Sequence, residues 1–434
     1  MAIALVKFKE VSPARAAAFN ILQQVETGAF SSVLLAVVEP KLETPDRALC
    51  HELVLGVLRW QLLLDKIVEH FSRRRIETLD APVRIALRLG LYQLRFLSRI
   101  PESAAVNESV SLVRSARLSS ATAFVNAVLR RAVREAEYDP AESVSDPIEK
   151  LAVQTSHPVW LIDRWAREFG PEETEAFARA NNLVPPTAFR VVGNRAERTE
   201  VLDRLTAAGA VVEASAVAED AWRISGATSL LRELSAAGQI YLQDEASQLV
   251  AQVMDVKAGE RVLDLCAAPG GKTTLMADRA GDGAMIIAAD RSAARMATVM
   301  ATTRLHELKG IQPVFLDATE TMPFQAGSFD KVLVDAPCSG TGTLRRNPEI
   351  RWRLAEADIA AFAEVQKKIL RNAVAAVRPG GRLVYSTCSV ERDENENVIQ
   401  DLGEHFRIVE TQRTWPHVHN SDGFFICVIC VICG

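Results

Sequence analysis

The 434-residue chain is predicted to be a multidomain protein. An all-α N-terminal part comes first, then a small α+β module, then a C-terminal α/β part on an open parallel sheet. Three observations predict this order. Through roughly the first 140 residues apolar positions recur at helical spacing and strand signals are missing. Residues 150–238 mix helical runs with short strand-like ones. From residue 239 onward, short apolar runs that close on aspartate alternate with helical stretches, the pattern of βαβ units.

In the first part the helical spacing covers Ala14 to Val25, Leu49 to Phe71, Pro82 to Leu97, Val106 to Ala116 and Ser120 to Arg134. Tyr138-Asp139-Pro140-Ala141 and the acidic stretch to Glu149 read as a linker, placing the first boundary near residue 140. The second part opens with His157-Pro158-Val159-Trp160, which starts a helix, and Asn181 to Pro186 ends another before the strand-like Thr187 to Val192. It runs to Gly238, and Ile240 to Ser247 leads into the third part, residues 239–434.

The third part carries the chemistry. Arg261 to Leu265 reads as a buried strand, and Cys266-Ala267-Ala268-Pro269-Gly270-Gly271-Lys272-Thr273-Thr274 as a glycine-rich turn into a helix beginning near Thr273. Such a strand, loop and helix can cradle a nucleotide. The phosphate-binding loop G-x-x-x-x-G-K-[ST] would require glycine at Cys266, and the dinucleotide fingerprint G-x-G-x-x-G is absent. Apolar runs then end at Asp290, 19 residues past Gly271, at Asp317 and at Asp335. A carboxylate at that distance can bind a ribose diol. One strand-terminal aspartate alone is about as often a turn former or helix cap. Three in register would converge outside the carboxyl ends of parallel strands, where open α/β sheets bind ligands.

Two cysteines sit in polar, turn-forming loops after apolar strands: Asp335-Ala336-Pro337-Cys338-Ser339-Gly340 and Tyr385-Ser386-Thr387-Cys388-Ser389-Val390. An arbitrary cysteine is usually a small buried hydrophobe, whereas the Pro, Ser, Thr and Gly around these two offer donors to a thiolate. The pair therefore points to covalent catalysis. The 7 cysteines are odd in number and without small-scaffold spacing, which argues against a disulfide framework and for a reducing cytoplasm. The start of the chain lacks a basic leader, and no segment reads as a membrane span. At the other end Cys427, Cys430 and Cys433 recur every third residue, but the Val-Ile pairs between them favour an extended, buried strand over a metal site, so no metal is expected.

The three motifs Leu263 to Thr273, Asp335 to Gly340 and Ser386 to Ser389 resemble those of the RNA 5-methylcytosine methyltransferases, the family that includes the small-subunit ribosomal RNA methyltransferase B (Sun/Fmu) enzymes. The resemblance implies a Rossmann-like class I methyltransferase domain that uses S-adenosyl-L-methionine. It implies that Cys266, Ala267, Ala268, Pro269, Gly270, Gly271, Lys272, Asp290, Asp317 and Asp335 line the cofactor and base site. Carried over in the same way, Cys388 is the nucleophile, Cys338 helps release product, and Asp335 holds the N3 edge of the base. A thiol is chemically apt, because C5 of cytosine is a weak carbon nucleophile until attack at C6 loads it with electron density.

The helical part is similar to the NusB-like domain that precedes the catalytic part in this family, through phrases such as Ala86-Leu87-Arg88-Leu89-Gly90-Leu91-Tyr92 and Phe124-Val125-Asn126-Ala127-Val128-Leu129. The second part resembles the family's RNA-recognition-like extension, although Arg190-Val191-Val192-Gly193-Asn194 departs from the tighter Arg-Val-Asn form and is given no RNA contact. Overall charge is −5, yet Asp65 to Arg134 holds 13 Lys or Arg against 6 Asp or Glu, a local excess of 7. Arg73, Arg74, Arg75, Arg95, Arg99, Arg114, Arg117, Arg130 and Arg131 are the candidate phosphate contacts; a solvated helical face is the plainer reading of any one. The expectation is a monomeric enzyme acting on small-subunit ribosomal RNA. A transfer RNA methyltransferase and a noncatalytic RNA-binding assembly factor are the alternatives.

Overall fold

The structure, a computed structural model, describes residues 11–402 and 406–431, so Met1–Lys7 and Cys433 lie outside the described residues. The chain divides into two units. One runs through Leu183 and regains Leu344–Arg353; the other comprises Val184–Thr343 and the chain from Leu354.

The first unit is helical throughout. Helices Pro13–Glu26, Ser31–Val38, Thr44–Arg59, Gln61–Ser72, Ala81–Phe96, Glu102–Ser115 and Thr122–Arg134 pack around Ala81–Phe96, whose Ile85, Ala86, Leu87, Leu89 and Leu91 are buried. Two glycines permit close approach: a Cβ on Gly56 would stand 2.0 Å from Tyr92 Cζ, and one on Gly90 would stand 2.7 Å from Leu129. Arg88 is buried among these apolar residues and is held by Asp65 at 2.7 and 2.8 Å and by Glu26 at 3.0 Å. The sequence reading differs at two places. The expected helix from Leu49 to Phe71 is two helices, broken at Trp60 where ψ is 18°. The helical hydrogen bonds Trp60 N to Gly56 O and Leu64 N to Trp60 O continue through the break, so no proline or glycine marks it. The stretch read as a linker is folded: Asp139 caps a turn at Pro140–Ser143, Ala141 is buried, and Asp146 caps the helix Pro147–Thr155.

Helices Val159–Phe169 and Pro171–Ala180 complete this unit together with the returning segment Leu344–Arg353. That segment is woven in by polar bonds. Glu349 accepts from the backbone N–H and the hydroxyl of Ser31, both at 2.9 Å, and the Trp352 indole donates to Leu58 O at 2.6 Å. The buried Arg351 guanidinium donates to Ser156 O and Asn182 Oδ1, each at 3.0 Å.

The second unit holds two sheets. The smaller contains β1 (Thr187–Val191), β2 (Val211–Ala214), β3 (Ala221–Ser225) and β4 (Ile240–Leu242) in the antiparallel order β2-β3-β1-β4. Helices Arg198–Ala207 and Thr228–Ala236 cover its apolar face through Val201, Leu205, Leu231 and Leu234. The larger sheet contains β5 (Arg261–Asp264), β6 (Met285–Asp290), β7 (Ile311–Phe315), β8 (Phe329–Asp335), β9 (Val377–Thr387), β10 (Phe406–Thr414) and β11 (Phe424–Val431) in the order β10-β11-β9-β8-β5-β6-β7. The strands β9, β8, β5, β6 and β7 run parallel, and β11 pairs antiparallel with β9 and β10.

β11 is an interior strand, as its Val-Ile pattern predicts. Cys427 packs with Phe425 and Ile429 on one face, while Ile426 and Val428 pack on the other. A spacing of three in a strand sends successive side chains to opposite faces, so Cys427 and Cys430 point apart. Among the described residues, no group of three or more His, Cys, Asp or Glu could hold a metal ion, and no helix is long and apolar enough to cross a membrane.

Candidate active site

Four parallel strands deliver the polar residues to one end of the large sheet. β5 ends at Asp264, β6 at Asp290 and β8 at Asp335, and β9 ends at Thr387, just before Cys388. The chain leaves β5 through Cys266–Gly270, and Ala267 N bonds to Ala289 O at 2.9 Å, tying the loop to β6. Gly270 has φ +107°, a left-handed value that favours glycine, and a Cβ there would stand 3.1 Å from Val299 Cα. The next helix begins at Gly271, two residues before the predicted start.

A cleft of about 180 Å³ lies over this loop, lined by Cys266–Pro269, Gly271, Lys272, Asp264 and Asp335, and on its other side by Tyr241 and Gln243. Tyr241 belongs to β4, so the edge of the small sheet supplies one wall. A Cβ on Gly271 would stand 3.0 Å from the Tyr241 ring and 3.2 Å from the Gln243 amide. Two buried side-chain oxygens of this cleft, Asp264 Oδ1 and Gln243 Oε1, have no close hydrogen-bond partner among the described residues. Asp264 Oδ2 accepts from the Thr273 hydroxyl at 2.6 Å. Burial pushes the Asp264 carboxyl up to about 7; the Thr273 bond opposes this and the Asp335 charge adds to it. Small side chains along most of the loop, and acceptors facing it, leave room for a ligand that donates hydrogen bonds.

Lys272 reaches across the cleft floor to Asp335 Oδ2 at 2.6 Å. Burial alone would lower the lysine's pKa, but the Asp335 carboxylate outweighs it and holds the ammonium charged. The other oxygen, Asp335 Oδ1, accepts from the Ser386 hydroxyl at 2.8 Å, and Asp335 and Ser386 are direct partners of the parallel pair β8–β9. That register places the aspartate two residues along from Cys388. The Cys338 and Cys388 thiols approach to 3.2 Å. The hydrogen bond to Cys388, then burial, raises the Cys338 pKa well above the ordinary thiol value.

The two remaining predicted residues are placed differently. Asp290 is buried at the end of β6, with Oδ1 accepting from Ser292 N at 2.8 Å and Oδ2 3.6 Å from Arg295. Asp317 stands exposed, two residues beyond β7, and its Oδ1 accepts from the Thr319 N–H and hydroxyl, bonds that lower its pKa. The structure thus brings Cys266–Lys272, Asp335, Cys338 and Cys388 together, with Asp290 on the neighbouring strand and Asp317 farther out along the strand ends. Sequence reasoning passed over three residues. Asp264 had a signal, since it too closes an apolar strand. Gln243 and Glu394, which bonds Ser339 and Ser389 of the two cysteine loops, had none: both lie outside the three motifs.

An open sheet with a glycine loop after β5 and polar residues at the strand ends is the architecture of a Rossmann-like nucleotide-binding protein, and comparison with known proteins makes it an S-adenosylmethionine-dependent methyltransferase. Three family models match successive parts of the chain: 16S rRNA methyltransferase RsmB/F matches residues 251–430, the NusB family residues 12–134, and the Methyltr_RsmF/B-like ferredoxin-like domain residues 157–230. The probable ribosomal RNA small subunit methyltransferase B of Bacillus subtilis (strain 168) is 34% identical, over 94% of this chain and 96% of its own. The ribosomal RNA small subunit methyltransferase B of Pseudomonas putida is 36% identical, over 89% of this chain and 88% of its own. A crystal structure of a methyltransferase homolog protein from Pyrococcus horikoshii superposes with a TM-score of 0.58 at 26% identity, covering 66% of this chain and 99% of that one. The chain belongs to the ribosomal RNA small subunit methyltransferase B family.

Proposed function

We propose that this protein methylates C5 of a cytosine in small-subunit ribosomal RNA through a covalent bond between Cys388 and C6 of the base. The observation that carries the reading is the pair of thiols 3.2 Å apart beside the Lys272–Asp335–Ser386 cluster. Cys266–Lys272 and Asp264 would hold the cofactor, with Asp290 at its ribose and Asp317 at the outer end. S-adenosylmethionine supplies an electrophilic methyl group on a sulfonium centre. Cys388 adds as thiolate to C6, and the π electrons move toward C5 and the N3 edge. Asp335, fixed by Lys272 and Ser386, holds that edge of the base, and the Lys272 ammonium beside it stabilises the negative charge that collects there. After C5 takes up the methyl group it loses its proton, and the electron pair of that C–H bond expels Cys388 from C6. Cys338, protonated and adjacent, is placed to return a proton to the departing sulfur.

The helical residues 1–140 and the module 150–238 are read as RNA-binding parts and 239–434 as the catalytic part. Arg73, Arg74 and Arg75 support this for the helical part, since they are exposed and line a shallow groove with Lys66, Glu69 and Glu77. Arg95 does not, because it donates to Ala136 O and Tyr138 O within its own unit. The test is methyl transfer from labelled S-adenosylmethionine to unmodified small-subunit ribosomal RNA. Wild type should form 5-methylcytosine, Cys388→Ala neither product nor adduct, and Cys338→Ala a persistent protein–RNA adduct. Labelling of transfer RNA instead would overturn the substrate, and full activity of Cys388→Ala would overturn the mechanism.

A further inference from the structure

One buried carboxyl group joins the two cysteine loops. Glu394 follows β9 in a short turn, Arg392–Glu394, and is completely buried. Its Oε1 accepts from the backbone N–H of Ser339 at 2.9 Å and from the Gln366 amide at 2.9 Å. Its Oε2 accepts from the Ser389 hydroxyl at 2.5 Å and from the Ser339 hydroxyl. Ser339 is the residue after Cys338, and Ser389 is the residue after Cys388. The same Gln366 amide also donates to Pro337 O at 2.9 Å, on the other side of Cys338. One carboxyl and one amide thus bracket the first cysteine and grip the second.

Four donors on one buried carboxyl are enough to retain it in an apolar surrounding, where an unpaired one would be strongly destabilising. The arrangement has a cost, since burial raises the Glu394 pKa despite the opposing serine bonds. A site that only needed to fill space would be satisfied by an apolar residue. The backbone around it is also locked: Gly342 N bonds to Cys388 O at 2.9 Å, Gly423 N bonds to Gly342 O at 2.8 Å, and a Cβ on Gly342 would stand 1.9 Å from Gly423 O. These bonds hold the loops together, as do those of Thr341 with Val390 N and of Ser339 with Ser389, and Glu394 ties them at the residues next to both cysteines.

We propose that Glu394, anchored by Gln366, is a positioning residue that sets the separation of the Cys338 and Cys388 thiols, so that Cys338 reaches the sulfur that leaves C6. The inference deepens the two-cysteine reading above and rests on it for its catalytic meaning. The geometric claim is testable without RNA. Diamide takes two electrons and two protons from a pair of thiols, forming one S–S bond and its own hydrazine product; the thiols need only close from 3.2 Å to about 2.05 Å. Full-length wild type, Glu394→Ala, Glu394→Gln and Gln366→Ala would be treated under native conditions, the Cys338–Cys388 bridge followed by peptide mass spectrometry, and the fold by thermal melting.

Glu394→Ala is expected to slow the bridge about tenfold, Gln366→Ala by a smaller factor, and Glu394→Gln, which keeps the acceptor for Ser339 and Gln366, to stay within about threefold of wild type. In methyl transfer, Glu394→Ala should lower kcat about tenfold or more with KM for RNA unchanged. Bridging at the wild-type rate in a folded Glu394→Ala or Gln366→Ala protein would overturn the proposal. Slowed bridging in a protein whose wild type methylates no RNA would leave the positioning role standing and remove the proposed reaction.

Discussion

Asp264→Asn gives a perturbation whose size follows from the structure. The carboxyl is 1% exposed, and burial lifts its pKa from 3.8 to about 7. Between those values the unfolded chain has released this proton and the folded protein keeps it, so folding stability falls as pH rises through the window. At about 1.4 kcal/mol per pH unit the whole window sets a ceiling of about 4 kcal/mol. The part between pH 5 and 7 is at most about 3 kcal/mol, and relaxation around the ionised group reduces it to about 2 kcal/mol. Asn keeps an acceptor for the Thr273 hydroxyl but cannot titrate. Urea unfolding of both proteins at pH 5 and pH 8 is the assay. Wild type should lose about 2 kcal/mol more than the variant on going to pH 8. Equal losses would refute the argument, since Asp264 would then ionise in the folded protein as readily as in water.

Gly56→Ala drives a Cβ to 2.0 Å from Tyr92, and the melting temperature should fall by an amount matching about 2–3 kcal/mol, typical of an overfilled core. Asp65→Ala leaves the buried Arg88 with only part of its charge compensation, from Glu26, and is expected to cost about 3 kcal/mol in denaturant unfolding. The double change Asp65→Leu with Arg88→Met should restore most of that. Changing Arg73, Arg74 and Arg75 together to Ser should leave the melting temperature within a degree or two. It should also reduce the slope of log affinity for RNA against log salt by about 2; an unchanged slope would remove this groove from the RNA interface.

Much of the catalytic part was legible because its signals are local. A glycine loop between an apolar strand and a helix, and a cysteine followed by Ser and Gly after a strand, depend on residues adjacent in the chain. The parallel order then carries Asp335 and Cys388 side by side without further information, since both end neighbouring strands. What escaped depends on long-range partners. Glu394 stands in Glu391-Arg392-Asp393-Glu394, which reads as solvated charge, and its bonds reach 55 residues back to Ser339 and 28 to Gln366. Trp60 breaks a helix without proline or glycine, so spacing alone merged two helices. Ser31–Val38 is short and apolar on all sides, without the polar face that marks a periodic helix. Arg95 counted as basic surface until its carbonyl partners were seen.

The return of Leu344–Arg353 to the helical unit sets an order of events during synthesis. Ser31, Leu58, Ser156 and Asn182 receive their partners from a segment that begins 161 residues after Leu183. At roughly 5–20 residues per second, a ribosome needs on the order of 8–30 s to reach it. Through that interval the emerging helical bundle is missing one of its own parts. It is completed only once the first cysteine loop has already been made, so the nascent chain cannot present a finished N-terminal unit ahead of its chemistry.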